Sequence, residues 1–400
     1  MTNGNNNQTP PRFRLKSIGI DGYRPFRDFT AQVGDLEVIV GANGTGKSAL
    51  FEFLKFLRDG MSREIPPEIV EGSIGQQLFH SPGPEKFDWH LEISAGGAGE
   101  ISYSGGVAGP AGRTGVYREV AIENLGSRNQ YGLLNVQDGS GSVGDKLRND
   151  LPDGLEEIRL ERRNQLALGT MTNPGFVSLY RLREYISNWR FYGAVKIAGE
   201  KLRRPSLIEP EPLLREDMGN LSSVLHYLMT EHREIFDELQ YCLRSTIPGF
   251  KSLTVKAYGV RGEVIAFWGE GGVDNQLTLA DLSDGILRLI GWSVLCLMPS
   301  PPSLICVDEP DQCAHPRALP ILAGLFEKAS RRTQIFLVTY NSYFLSLFDL
   351  SSVAVMRKEK GKIRQLKPGD SQILRESLED FGADELERLH RSEELEILAR

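Results

Sequence analysis

Cysteine is scarce. The four thiols, Cys242, Cys296, Cys306 and Cys313, form no CxxC pair, and three of them lie in or beside apolar segments. That pattern argues against zinc ribbons and disulfide frameworks and fits buried, reduced thiols in a cytoplasmic protein. Long hydrophobic runs are missing as well. The longest apolar stretch, around Leu287 to Met298, is broken by Arg288 and Gly291. It falls short of the roughly 18 residues that cross a bilayer, so no membrane partner is expected. Residues 1–12 are polar, lack the basic start and apolar run of a secretion signal, and read as a disordered tail. Positive charge is not in excess. The formal net charge of −7 excludes a globally basic nucleic-acid coat but leaves room for a local basic groove. What remains, 40% hydrophobic and 25% charged residues over 400 positions, suits a globular chain of two to three packed units.

Gly41-Ala-Asn43-Gly44-Thr45-Gly46-Lys47-Ser48-Ala49 is the most specific motif. It satisfies G-x-x-x-x-G-K-[ST] and follows the apolar run LEVIV. It also precedes KSALFEFLKFLR, whose apolar positions 50, 53, 54 and 57 share a helical face. The chemistry fits a nucleoside triphosphate. Glycines let backbone N–H groups curl around phosphates, the helix start adds partial positive charge, Lys47 reaches the β/γ phosphates, and Ser48 ligates Mg²⁺.

Two more segments carry chemistry. Ser303-Leu-Ile-Cys-Val-Asp308-Glu309-Pro310 is an apolar strand ending in two acids. Asp308 there suits the metal side of a phosphate site, and Glu309 suits a general base for water. Leu282-Ser283-Asp284-Gly285 lies upstream at a helix start, where Ser283 can cap the helix with Asp284 near its positive end.

The three motifs, in this order and spacing, resemble the ATP-binding-cassette ATPases, and most closely their soluble RecF/SMC/OLD-like branch, often labelled AAA family ATPases. The opening stretch IGIDGYRPFRDFTAQVGDLEVIVGANGTGKS, the run Asp308-Glu-Pro-Asp-Gln-Cys-Ala-His315-Pro316 and Gly219-Asn220-Leu221 are similar to elements of that branch. The resemblance implies an α/β P-loop fold of two lobes with a helical insertion, and the cofactors ATP and Mg²⁺. It also implies a homodimer in which Ser283, Asp284 and Gly285 of one copy complete the site of the other. Gln76, or its neighbour Gln77, is the candidate Mg²⁺-sensing glutamine. Where the branch carries Thr-His-Ser-Pro, this chain has Thr339-Tyr340-Asn341-Ser342. Asn341 is accordingly the candidate switch residue, able to donate a hydrogen bond but not to carry a proton.

The expected organisation is a tail (1–12), a first ATPase lobe with antiparallel strands (13–150), a helical insertion (151–250), a second lobe (251–370) and a charged helical tail (371–400). The insertion interleaves Arg181, Arg183, Arg190, Lys196, Lys201, Arg203 and Arg204 with Tyr180, Tyr185, Trp189, Phe191 and Tyr192. Such a run serves either nucleic acid or a protein core, and helical spacing of aromatics favours the core. Arg24 and Arg27 stand either near a nucleotide or nucleic acid or on a solvated turn. The expected function is an ATPase in antiphage defence or genome maintenance, either a nucleotide-gated sensor or scaffold acting with a separate nuclease or toxin encoded nearby, or a DNA-linked ATPase. Direct nucleic-acid binding in DNA repair is the alternative, and a transporter motor is disfavoured by the missing membrane span.

Overall fold

Leu36–Val40, Leu304–Asp308 and Gln334–Val338 are short runs that are apolar at almost every position and buried almost throughout. Strands buried on both faces belong in a parallel sheet covered by helices. The computed structural model describes residues 13–65, 78–96, 99–110, 114–124, 126, 130–145, 155–193, 201–258, 262–372, 374, 376, 383–392 and 394–398. Its chain divides into two units. Unit one is Met1–Gly34, Ala42–Trp189 and Met356–Gln365; unit two is Asp35–Gly41, Arg190–Val355 and Leu366–Arg400.

Unit one is built on an antiparallel sheet. Its strands are β1 (Arg14–Asp21), β2 (Phe29–Gln32), β4 (Lys86–Ser94), β5 (Glu100–Ala108), β6 (Gly115–Asn124), β7 (Gln130–Gln137), β8 (Ser140–Gly144) and β9 (Leu155–Arg159). Their order is β2-β1-β4-β5-β6-β7-β8-β9. Residues 13–40 hold three strands: β2 pairs with β1, while β3 (Leu36–Val40) lies in unit two. Strict alternation in β4 turns Phe87, Trp89, Leu91 and Ile93 inward. Helix α1 (Lys47–Gly60) lays Phe53 and Phe56 against Phe87, with edge-to-face geometry at 6.5 and 5.5 Å.

The helical insertion expected over 151–250 does not begin with a helix at Leu155–Arg159. Leu155–Arg159 is the edge strand β9, paired with β8, because LEEIR has no apolar stripe to bury while the β8 edge offers backbone partners. The expected 151–250 segment is not one body either, since the two units meet in the chain at Trp189–Arg190. Helix α2 (Val177–Ser187) precedes that point.

A buried carboxylate fixes the turn before α2. Glu119 on β6 is fully buried and accepts from Tyr103 Oη (2.8 Å), Ala167 N (2.5 Å) and Leu168 N (2.9 Å). Burial nevertheless pushes its carboxyl up from 4.5 to about 7. A raised folded value means that the stabilisation is complete below the unfolded value and is lost as pH rises through about 7. Going from about pH 6 to about pH 8 should therefore cost about 1 kcal/mol of unfolding free energy. Urea melts at the two pH values check this, and Glu119→Gln should remove the step.

Unit two carries the parallel sheet. Strand β15 (Leu304–Asp308) pairs with β16 (Gln334–Val338), β16 with β3, and β3 with the start of β17 (Val353–Glu359), all parallel. Strand β10 (Trp189–Gly193) flanks β15. A second sheet contains β11 (Ser206–Leu207), β12 (Phe250–Tyr258), β13 (Glu263–Glu270) and β14 (Leu277–Thr278). The helices are α3 (Leu221–Glu231), α4 (Arg233–Thr246), α5 (Asp284–Leu297), α6 (Leu319–Ser330), α7 (Ser342–Leu345), α8 (Ala383–Arg391) and α9 (Glu394–Leu398). Met218, Leu225, Trp268, Trp292 and Phe326 share their core with Leu386, Leu389 and Leu395 of the charged tail. The tail therefore caps the core of its own unit.

Past its start, β17 continues into unit one. There Lys360 and Gly361, at φ 47° and 84°, turn it into β18 (Lys362–Leu366).

Candidate nucleotide-binding site

The phosphate loop leaves the parallel sheet through Gly41 (φ 143°), directly after β3. Its backbone then takes left-handed values at Gly44 (φ 80°) and Gly46 (φ 91°), which only glycine adopts freely. A Cβ at Gly44 would meet nothing within 4 Å, whereas one at Gly46 would strike Ile363 Cδ1 at 2.9 Å and the Phe26 ring at 3.1 Å. The loop is thus open on one side and backed by packed apolar groups on the other. Lys47 is 3% exposed, and its Nζ lies 2.9 Å from Ala42 O and 3.4 Å from Thr45 Oγ1. Helix α1 starts without a side-chain cap and without an acid in its first turn. Its N-terminal N–H groups and Lys47 fit an anion, and Ser48 is exposed beside them.

In unit two the strand register brings the acid pair to the sheet edge from which that loop departs. Asp308 lies opposite Val338, and Val338 opposite Ile39, two residues before Gly41. Ligands of parallel sheets bind at this carboxyl edge. Glu309 holds a left-handed backbone (φ 53°), and its N–H donates to Val338 O at 2.8 Å. Such strain in a non-glycine residue is concentrated at functional sites. Both acids are half-buried. A carboxylate such as Asp308 is the kind of hard oxygen donor that Mg²⁺ prefers. Among the described residues no group of three or more His, Cys, Asp or Glu could hold a metal ion.

Ser283 caps α5, its Oγ accepting from Ile286 N at 3.4 Å. The capping role expected from the sequence is met. Asp284 is paired with Arg203 (2.5 Å), whose guanidinium also donates to the carbonyls of Ala280 (2.9 Å) and Leu282 (2.7 Å). Gly285 is required by packing, since a Cβ there would lie 2.5 Å from Cys313 O. Arg288, one turn on, donates to Gln312 Oε1 at 2.9 Å. The segment 309–313 is thereby fixed to α5. His315 caps the next short turn, its Nδ1 accepting from Arg317 N.

Asn341, the candidate switch residue, has a structural task. Its Oδ1 accepts from Phe344 N at 3.0 Å, capping α7, and its own N–H donates to Thr339 Oγ1 at 3.0 Å. Thr339 in turn donates to Asp311 Oδ1 at 2.7 Å. Tyr340, between Thr339 and Asn341, is 45% exposed. Burial, and then the charges of Asp308 and Glu309, hold its hydroxyl above the ordinary value, so it remains a hydrogen-bond donor at neutral pH.

Other expectations fall out differently. Gln76 and Gln77 lie outside the described residues, as does Lys196. Trp189 and Tyr192 are buried, and Arg183 and Arg203 bond to backbone carbonyls, so this part of the basic and aromatic run is core and internal pairing. Arg24 pairs with Glu52, and Arg27 is exposed. Asn220 of Gly-Asn-Leu is buried and ties Arg215 N and Leu213 O to the start of α3. Cys296 and Cys306 are buried and Cys242 is half-buried, whereas Cys313 is exposed on the turn after the acid pair, against the expectation of buried thiols. Among the described residues no helix is long and apolar enough to cross a membrane.

The family model described as "AAA domain, putative AbiEii toxin, Type IV TA system" matches residues 146–346, half of the chain. That span holds Ser283, Asp308 and Glu309 and begins after the phosphate loop. No curated protein sequence matches the chain. Among solved structures, an Smc head bound to the C-terminal winged-helix domain of ScpA is similar, with a TM-score of 0.56 at 12% identity over 88% of this chain and 97% of that one. A Pyrococcus furiosus Smc head with an extended coiled coil, bound to the C-terminal domain of ScpA, gives 0.52 at 11% identity over 92% and 100%. At such identities the likeness shows the fold, that of the P-loop ATPase heads. The chain belongs to this AAA-domain family and shares the fold of the Smc heads.

Proposed function

We propose that the chain binds Mg²⁺-ATP and hydrolyses it as a homodimer, using the cycle to gate a separate effector protein, a nuclease or toxin. The observation that carries this reading is the register Asp308–Val338–Ile39, which brings the acid pair to the same sheet edge at which the strand feeding the phosphate loop ends. Lys47 and the α1 N–H groups hold the phosphates, and Glu309 takes the proton of the attacking water. Ser48 and Asp308 are the residues that would hold Mg²⁺, which when bound neutralises phosphate charge. Ser283 and its helix start serve the nucleotide of a second copy. Ser283 is at the surface, and the same helix start carries the exposed Asp284. The toxin–antitoxin wording of the family description supports a component that acts with a partner, and antiphage defence or genome maintenance is the setting proposed.

Turnover per chain should rise with protein concentration in the range where dimers form, and Ser283→Arg should lower it at least tenfold by blocking the second copy. A steady-state ATPase titration with parallel sedimentation measures both. Undiminished turnover from a monomer would sink the model.

Direct nucleic-acid binding is the second reading, favoured by the hairpin Met356–Gln365. It presents Arg357, Lys358, Lys360, Lys362 and Arg364 with one acid, Glu359, in a chain of net charge −7. Lys362 and Arg364 converge with Arg27 on the single carboxylate Asp28, holding it below the usual carboxylate range. Salt-dependent DNA binding that accelerates ATP turnover would favour this reading over the effector-gating one.

A further inference from the structure

Arg203, read in the sequence as one residue of a basic run, gathers four oxygens of the segment that leads into α5. Its Nη1 lies 3.3, 2.9 and 2.7 Å from the carbonyl oxygens of Leu279, Ala280 and Leu282, and its Nη2 donates to Asp284 Oδ1 at 2.5 Å. The carbonyls belong to the short turn Leu279–Asp281 and the residue after it, and a cationic side chain satisfies such chain-end acceptors. The upstream end of the segment is closed by a capping box. Thr278 Oγ1 accepts from Ala280 N at 3.3 Å, and Asp281 Oδ2 accepts from Thr278 N at 2.8 Å. Leu279 and Leu282 are buried, as is Leu202 beside the arginine, all three in the core of unit two. Clamp and segment are therefore rooted in the same body. Ser283 is the exposed residue between the last carbonyl and the carboxylate that Arg203 holds.

We propose that Arg203 is a positioning residue of the shared nucleotide site: by holding Leu282 O and Asp284 on either side of Ser283, it fixes the start of α5 in the form that a second copy's triphosphate meets. This assignment rests on the homodimer reading above. A planar guanidinium bonds several oxygens at once in fixed directions, which an ammonium on a flexible stem does not. With the segment ordered beforehand, less conformational freedom is lost when the second copy arrives. The clamp thus acts on association of the two copies and leaves each chain's own phosphate loop as it is.

The test is ATP turnover of the full chain against its own concentration, for Arg203→Ala and Arg203→Lys. Lys201→Ala, two residues away and paired with Asp217, is the control and should match the wild type. Arg203→Ala should raise the protein concentration of half-maximal turnover about tenfold, the scale of one lost charge-assisted hydrogen bond. Arg203→Lys keeps the charge without the fork and should raise it about threefold. Affinity for a fluorescent ATP analogue, measured on the dilute chain, should stay within about twofold in both, since the phosphate loop is untouched. If Arg203→Ala does not fold, Arg203→Lys decides alone. Folded variants that keep the wild-type concentration dependence, or that lose analogue affinity by the same factor, overturn the assignment alone. A wild-type chain whose turnover is independent of its concentration, or that never hydrolyses ATP, overturns the homodimer or the ATPase reading and this assignment with it.

Discussion

Glu309→Gln should lower ATP turnover about 1,000-fold while leaving nucleotide bound, since a positioned general base contributes roughly 10² to 10⁴ in rate. Gln keeps the shape of the side chain and the backbone bond from residue 309 to Val338 O. It loses only the capacity to accept a proton. The left-handed backbone at Glu309 (φ 53°) aims the side chain by a turn that costs on the order of 1 kcal/mol in a non-glycine residue, and that cost is unchanged in Gln. The variant should therefore fold, bind ATP and persist as a nucleotide-bound dimer in size-exclusion chromatography with Mg²⁺-ATP. Turnover within tenfold of the wild type would remove Glu309 from the role of base.

The second large effect is on binding. Lys47→Ala should weaken ATP affinity by at least 100-fold, because charge-assisted hydrogen bonds contribute about 1.5–3 kcal/mol each and Lys47 offers more than one. The lysine is folded into the loop against Ala42 O and Thr45 Oγ1, at 3% exposure. It is already desolvated before a phosphate arrives, so little ordering remains when it binds. Thermal unfolding reads the result. Saturating Mg²⁺-ATP should raise the wild-type midpoint by linkage, about 2.7 kcal/mol at one hundred times Kd, and leave Lys47→Ala unmoved. A Lys47→Ala chain stabilised as much as the wild type would mean that the nucleotide, if bound, is not held by this loop.

These two residues were legible because their signals are local. A glycine spacing with Lys-Ser specifies a loop and a helix start within nine residues, and an apolar run ending in two acids specifies a buried strand with a polar tip. The Ser283 cap and the alternation of β4 are of the same kind, readable because a cap reaches three residues and a pleat repeats every two. Tyr340 and Asn341 were not separable this way. Both follow the strand, and which of them is consumed as a helix cap depends on whether the chain turns into α7 at residue 341 or 340.

By itself, then, the sequence determined the P-loop, the acid-ended strand, the capped helix and the class of fold they imply. Only the tertiary structure decided that Glu119 meets backbone N–H groups 48 and 49 residues away. It alone sent β9 to a sheet edge, returned the hairpin Met356–Gln365 to unit one to back Gly46 with Ile363, and set the charged tail on its own core. Each is a pairing between distant segments, and the free energy of such a pairing depends on which surfaces the remaining chain leaves exposed. Local spacing determines what an element is, and the packing of the whole determines what it lies against.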